Sequence, residues 1–325
     1  MTSPTVSVIV PAHNVETYIG QCLDSLITQD THEIEIIVVD DGSTDDTGKI
    51  ASVYAASNPQ IVLLTQPNRG LSEARNRGLE VVRGQYVGFV DGDDWVHASM
   101  FREMYHLATK TGSDFVITNG RLYNHLTKSL QPFQDRRLWN QLWQSGLSDA
   151  FNPRLKQELF RLDTSTCKRL YRREFLERLR FRFHANLIFE DVPAHYRLML
   201  SADRVALLPR LHYFYRSHRP GRITSYADEK LFDVFAVMEL VMRDLVALAA
   251  DDMIWANFIW HQSWVLRWLR RQIRKDLSVS FDGKATAIAL TFPQGGLETF
   301  FAQFAADEKA TAFVSAQTSG HLQRE

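Results

Sequence analysis

Short, β-branched apolar runs alternate with helical patterns through about the first 120 residues of the chain. "TVSVIV" is followed by a helix after Glu16, "IEIIVVD" by a second helix, "IVLL" by a third, and "QYVGFV" comes next. These runs are apolar almost without interruption, as expected when helices cover both faces of a sheet. The pattern predicts an α/β fold with a mostly parallel sheet. In the first helix Ile19, Cys22, Leu23 and Leu26 fall at i, i+3, i+4 and i+7, which makes one buried stripe. After "DFVITN" at 114–119 the pattern loosens into a polar, aromatic stretch to about residue 165, then resumes with "CKRLYRREFLERLRFRF". From about residue 228 the chain turns helical: Leu231, Val234, Phe235, Met238, Val241, Met242, Leu245 and Leu248 keep one repeat. The expected organisation is an α/β domain over 1–225 and a helical C-terminal domain over 226–325.

A chain of 325 residues buries a large core without staples. Lys plus Arg (37) nearly balance Asp plus Glu (38), for a formal charge of −1. No global field draws the chain to nucleic acid, so polyanion binding falls to local patches. Only Cys22 and Cys167 are present, without C-x-x-C spacing, which favours a reducing, cytoplasmic compartment. The start "MTSPTVSVIVPAHN" lacks the basic and apolar regions of a signal peptide and reads as mature protein. No run approaches the roughly 20 apolar residues of a membrane span. Even "VFAVMELVMRDLVALAA" is broken by Glu239, Arg243 and Asp244. Any membrane contact is expected to be peripheral.

Open α/β sheets bind ligands beyond the C-terminal ends of their strands, so the residues just after each strand are the candidates for chemistry. The first strand ends in Pro11, Ala12, His13 and Asn14, the second in Asp40 and Asp41, and the "QYVGFV" strand in Asp91, Gly92, Asp93 and Asp94. The loop "VVDDGSTDDTGK" falls short of a phosphate-binding loop. Five residues separate Gly42 from Gly48, Ile50 follows Lys49, and four aspartates would repel phosphate. Asp45, Asp46 and Thr47 read as a turn and helix cap, with Ser43 as the other candidate cap. Asp40 and Asp41 are placed to accept hydrogen bonds from a nucleobase or ribose. No G-x-G-x-x-G occurs, which argues against a dinucleotide dehydrogenase.

"FVDGDDW" has two readings, a turn or cap and a metal site. Asp-Gly-Asp lets two carboxylates approach one hard cation whose other ligands are water and a diphosphate, and Gly92 lets the backbone pass close to that ligand. A second acidic pair, Glu190 and Asp191, precedes Pro193 in "NLIFEDVPAHYRLML". Pro193 fits a first helical turn, so Asp191 falls at a helix N-terminus, either as a plain cap or as a general base.

"VSVIVPAHNVETYIGQCLDSL", "IIVVDDGSTDDT", "NRGLSEARNRGLE", "YVGFVDGDDW" and "FEDVPAHYRLML" occur in the order seen in family 2 glycosyltransferases, over about residues 5–220. The resemblance implies the GT-A fold and an inverting transfer of a sugar from a nucleotide diphosphate sugar, taken as a UDP-sugar, to an acceptor hydroxyl. The acceptor it suggests is a bacterial surface polysaccharide, teichoic acid or glycolipid. It implies a nucleotide-sugar half over about 1–120 and an acceptor-side half over 121–225. Pro11, Asn14 and Asp41 match positions lining the nucleotide pocket, with Asp40 beside them, and Arg75 matches an arginine near the donor. Asp91 matches the aspartate of the ribose and metal region, and Asp93 the ligand of Mn2+ or Mg2+; Asp94 is expected to brace the loop. Asp191 matches the catalytic base, with Glu190 shaping the acceptor site. An ordinary aspartate, pKa ~3.9, is ionised at neutral pH and can take the acceptor proton late in the attack.

Lys168 and Arg216 match basic positions that meet the diphosphate, and the segment containing Gly221 reads as a loop closing over the donor. His218, Arg219 and Arg222 are further candidates, for which solvated surface charge is the plainer explanation. Two other functions stay open: a non-catalytic nucleotide-sugar-binding scaffold, and an aspartate-dependent phosphohydrolase. The latter expects Thr or Val where Trp95 stands. In "IWANFIWHQSWVLRWLRRQIRKDL", Trp260, Trp264 and Trp268 share a face and five basic residues lie toward its end. A helix lying peripherally on the inner membrane face would read this way. So would one packed in a core or against a second copy of the chain, the preferred reading given the apolar face of Ile254, Phe258, Val265, Leu269 and Ile273.

Overall fold

Each of the four leading apolar runs is a strand: β1 (Val6–Ala12), β2 (Ile34–Asp41), β3 (Ile61–Gln66) and β4 (Tyr86–Phe89). The computed structural model describes residues 4–31, 33–144, 150–219 and 228–319. Between these strands lie α1 (Ile19–Ile27), α2 (Thr47–Ser57) and α3 (Leu71–Leu79). Every residue of β1 and β2 is buried, because helices leave neither face of the central strands to water. The predicted stripe of α1 is its buried face: Ile19, Cys22, Leu23 and Leu26.

Then follow β5 (Trp95–Val96), α4 (Met100–Thr111), β6 (Phe115–Asn124), β7 (Ser129–Pro132), α5 (Arg136–Gln144), β8 (Arg169–Arg172), α6 (Arg173–Arg178), α7 (Asp191–Ser201) and β9 (Val205–Ser217). The strands make one nine-stranded sheet among the described residues, ordered β3-β2-β1-β4-β8-β6-β9-β5, with β7 paired to β6 off this path. Pairing is parallel from β3 through β4. Antiparallel β8 then joins β4 to β6, which makes the whole sheet mixed. The expected parallel sheet is therefore its first half.

From β1 the order runs one way to β2 and β3 and the other way to β4, so the segments at the ends of β1 and β4 lie at the switch point where open α/β sheets take ligands. Those two segments carry Pro11 to Asn14 and Asp91 to Asp94.

The chain divides into two compact units. The first comprises Met1–Asn152, Ser165–Asn186 and Ala202–Pro220, and contains the whole sheet. The second comprises Pro153–Thr164, Leu187–Ser201 and Gly221–Glu325. The second is helical, with α7 joined by α8 (Asp233–Ala247), α9 (Asp252–Arg270), α10 (Ser278–Ala289), α11 (Gln294–Gln303) and α12 (Glu308–Thr318). In it Val234, Phe235, Met238, Val241 and Leu245 of α8 are buried, as are Ile254, Phe258, Val265 and Leu269 of α9. Trp260 donates its indole N–H to Asp307 at 3.0 Å and stacks on Phe304. Trp264 and Trp268 stack on each other at 6.5 Å. Among the described residues no helix is long and apolar enough to cross a membrane.

Candidate active site

Sequence places Asp91, Gly92, Asp93 and Asp94 just past β4, and the tertiary fold gives each a different job. Asp91 accepts a hydrogen bond from Arg75 Nη2 at 3.0 Å, and Arg75, on α3, is only 1% exposed. The same nitrogen lies 3.8 Å from Cys167 Sγ, and the guanidinium covers the Phe183 ring at 5.2 Å. Asp93 forms an ion pair with Arg219, just beyond β9. Burial pushes the Asp93 carboxyl up, Arg219 pulls it down, and the Asp91 charge pushes it up again; the net shift is upward. Asp94 faces the protein: it accepts from Tyr213 Oη at 2.6 Å and from the Arg216 amide at 2.7 Å. Burial, with Asp93 and Asp91 close by, raises its pKa well above the usual range. It braces the turn against β9.

Gly92 is compact for the protein's own sake. A Cβ there would meet Pro11 O at 3.1 Å and the side chains of Ile19 and Val15 at 3.3 Å, and the Gly92 amide donates to Pro11 O. Pro11 thereby ties the end of β1 to the acidic turn. Asn14 sits at φ 49 and accepts from the Thr44 amide at 2.8 Å, so it clamps the loop after β2. Asp40 accepts from the Ser43 amide at 3.1 Å inside that loop. Asp41 accepts from the amides of Arg69 and Gly70 and from Gln66, all at 2.8 Å, and so shapes the entry to α3. A carboxylate offers about four acceptor positions, and three of those on Asp41 serve this turn.

Arg216 is buried at the end of β9. Its Nε donates to Asp93 O at 2.7 Å and its Nη2 to Gln21 Oε1 at 2.6 Å. Its guanidinium lies 4.8 Å from the Tyr18 ring, 4.7 Å from Trp95 and 5.5 Å from Tyr123, an aromatic cage that offsets the loss of water. Lys168, 2% exposed, holds its Nζ 3.8 Å from the centre of the Phe133 ring. Arg219 is 12% exposed at its side chain, so the explanation as solvated surface charge is corrected for this residue. Exposure is a tertiary property, and the only hint in sequence was its place in "YFYRSHRPGRIT". Tyr18, Gln21, Tyr123 and Tyr213 escaped sequence reasoning altogether. His218 is exposed at φ 59, with its Nδ1 3.1 Å from Ser217 Oγ. Gly221 and Arg222 lie outside the described residues.

Asp191 opens α7 and Glu190 precedes it, 7% exposed; both belong to the second unit. Within the first unit Pro11 is joined to Gly92, Arg75 to Asp91 and Arg216 to Asp93, while Asn14, Asp40 and Asp41 shape the loop after β2 and the entry to α3, and Lys168 rests on Phe133.

A parallel run of strands with an acidic turn at its switch point, extended by antiparallel β8, makes this an α/β domain of the GT-A type. The same fold is found in S. aureus TarS 1-349 in complex with UDP-GlcNAc, at a TM-score of 0.78 and 20% identity over 98% of this chain and 92% of that one. The sequence profile of glycosyl transferase family 2 matches residues 7–180, and the chain belongs to that family. It is 37% identical to the uncharacterized glycosyltransferase EpsJ of Bacillus subtilis over 225 residues, 68% of this chain. It is 34% identical to the glycosyltransferase GlyA of Streptococcus pneumoniae over 230 residues, 69% of this chain. The matched region spans 63% of EpsJ and 32% of GlyA.

Proposed function

We propose that the chain transfers a sugar, with inversion, from a UDP-sugar to an acceptor hydroxyl of a surface polysaccharide, teichoic acid or glycolipid. The observation that carries this reading is the Asp91-Gly92-Asp93 turn at the switch point of the sheet, flanked by Arg75 and Arg219. TarS, whose fold is shared, was crystallised with UDP-GlcNAc, which supports uridine as the nucleotide. On this reading residues 1–120 form the nucleotide-sugar side and 121–225 the acceptor side of the catalytic domain, and 226–325 are the helical domain. Two buried free cysteines accord with a cytoplasmic setting, peripheral to the membrane if its acceptor is lipid-borne.

Asp91 and Asp93 suit Mn2+ or Mg2+. Both supply hard oxygen donors from one turn, at side-chain exposures of 23% and 14%, and their charges disfavour one another, a penalty a divalent cation relieves. Asp91 and Asp93 would hold such an ion, with diphosphate and water as the hard oxygen donors that would complete its shell. When bound, such an ion neutralises charge building on the departing diphosphate. The chain's own residues do the rest. Arg75 and Arg219 hold the two carboxylates, Arg216 fixes the turn from behind, and Pro11, Asn14, Asp40 and Asp41 shape the nucleotide side. Asp191 takes the acceptor's proton as its oxygen attacks, and Glu190 shapes the acceptor side.

Thermal unfolding with UDP, with and without Mn2+, tests the donor half. The midpoint of the full chain should rise with UDP plus Mn2+, because a ligand that binds only the folded state stabilises it by mass action. Asp93→Ala should abolish the Mn2+-dependent part of that rise. An equal rise in Asp93→Ala, or full transfer in chelator, removes the metal from the mechanism. Release of inorganic phosphate without sugar transfer would favour a phosphohydrolase instead.

A further inference from the structure

A cavity of about 620 Å3 opens in the first unit where the β6–β9 ladder breaks, within the roughly 300–1,000 Å3 usual for ligand pockets. The break has a local cause. Partners run from Thr118↔Leu208 to Asn119↔Leu211 and Gly120↔Tyr213, so β9 skips residues twice; Pro209, which has no amide to give to the ladder, lies in the first gap. Thr118 Oγ1 pins the bulge, donating toward Leu208 O at 3.2 Å and Arg210 O at 3.1 Å. Gly120 permits it, since a Cβ there would lie 2.4 Å from Tyr213 O.

The chemistry of the lining is one-sided. Arg121, Arg136 and Arg210 line the cavity with Trp139, Trp143 and Asn140, and no Asp or Glu does so among the described residues. Arg210 lies 3.6 Å from Glu103, while Arg121 and Arg136 have no ion-pair partner among the described residues. Trp143 is 56% exposed, so its indole is open to a ligand in the cavity it lines. Phe133, against which Lys168 rests, also lines the cavity, so a further basic residue stands beside its wall.

We propose that this cavity is a subsite for an anionic saccharide, its carboxylate or phosphodiester groups held by Arg121 and Arg136 and a sugar face resting on Trp143. Guanidinium forks match both anions bidentately, and the indole gives an apolar platform for the C–H face of a pyranose ring. That this saccharide is the acceptor chain rests on the glycosyl-transfer reading above; that the cavity binds it does not.

Calorimetric titration of the full chain with tetragalacturonate, a glycerol-phosphate tetramer and neutral maltotetraose tests the inference. At least one anionic oligomer should bind, more weakly as salt rises. Binding should fall about tenfold or more in R121Q/R136Q and also in Trp143→Ala, while the UDP-induced rise in melting midpoint stays unchanged. Which anionic oligomer binds identifies the anion. Equal binding of maltotetraose, no binding of either anionic oligomer, or unchanged affinity in both variants would overturn the proposal. If the wild-type chain shows no UDP-induced rise while an anionic oligomer still binds, the donor reading fails and this one stands.

Discussion

Arg216 and Asp93 show how a residue's neighbours decide what it does. Arg216, the residue matched to a diphosphate contact, also fixes the turn, through its hydrogen bonds to Asp93 O and Gln21 and its three aromatic neighbours. A lysine there would keep the charge and lose the planar fork. Arg216→Lys should therefore cost about 2 kcal/mol in denaturant unfolding, the scale of lost charge-assisted hydrogen bonds. It should also weaken stabilisation by UDP plus Mn2+; an unchanged midpoint would show that the cage is dispensable. Asp91 and Asp93 were legible as a pair because a strand, a glycine and two carboxylates announce themselves in order. The partners Arg75 and Arg219 lie 16 and 126 positions from their carboxylates, and no local pattern links such distances.

Elements carry a second kind of information. The strands β1 to β4 follow from their short, nearly unbroken apolar runs and the stripe of α1 from its helical period, since cover on both faces leaves few polar positions and burial of one helix face recurs every third or fourth residue. The β9 bulge does not, because it depends on which strand lies beside it. His212 sits in this bulge, 3% exposed, with Thr118 Oγ1 2.9 Å from its Nδ1 and Glu103, His97 and Arg210 around it. Burial, opposed by Glu103 and aided by His97 and Arg210, lowers its pKa to about 4. A depressed histidine pKa means that the unfolded chain binds a proton that the folded one refuses. Stability should then be intact above about pH 6.5 and decline toward pH 4, by up to about 3 kcal/mol. His212→Gln should flatten that part of the pH profile of unfolding; an identical slope in the variant would exclude the buried imidazole as its source.

At the scale of the molecule the two units interleave along the chain. Residues 153–164 and 187–201 belong with the C-terminal helices, although they are surrounded in sequence by the first unit. Within the second unit Tyr196 of α7 meets Phe258 of α9 edge-on at 5.3 Å, and Arg197 pairs with Asp244 of α8 at 3.3 Å. A fragment ending at residue 225 would lose α8 and α9 and expose the apolar side of α7. It should aggregate or melt without cooperativity in size-exclusion and circular-dichroism measurements, whereas a stable monomer would show that 1–225 folds alone. The same arrangement puts the proposed base in a different unit from the acidic turn, so binding and transfer should separate by mutation. Asp191→Asn should keep the stabilisation by UDP plus Mn2+ and lower transfer about 10²–10⁴-fold, the usual worth of a general base. Transfer at the wild-type rate would rule out Asp191 as that base.

By itself the sequence determined what is local or periodic: the strands and helices of the first 120 residues, the helical C-terminus, the carboxylates after β2 and β4, and the order of motifs that marks family 2. These survive without a structure because each depends on residues within a few positions of one another. Only the tertiary structure decided the rest. It set the antiparallel β8 beside β4, gave Asp94 to β9, made Arg216 a brace and Arg219 a half-buried counter-ion, and opened an arginine-lined cavity where β9 slips against β6. All of these depend on burial and on neighbours distant in sequence, which no reading of one segment contains.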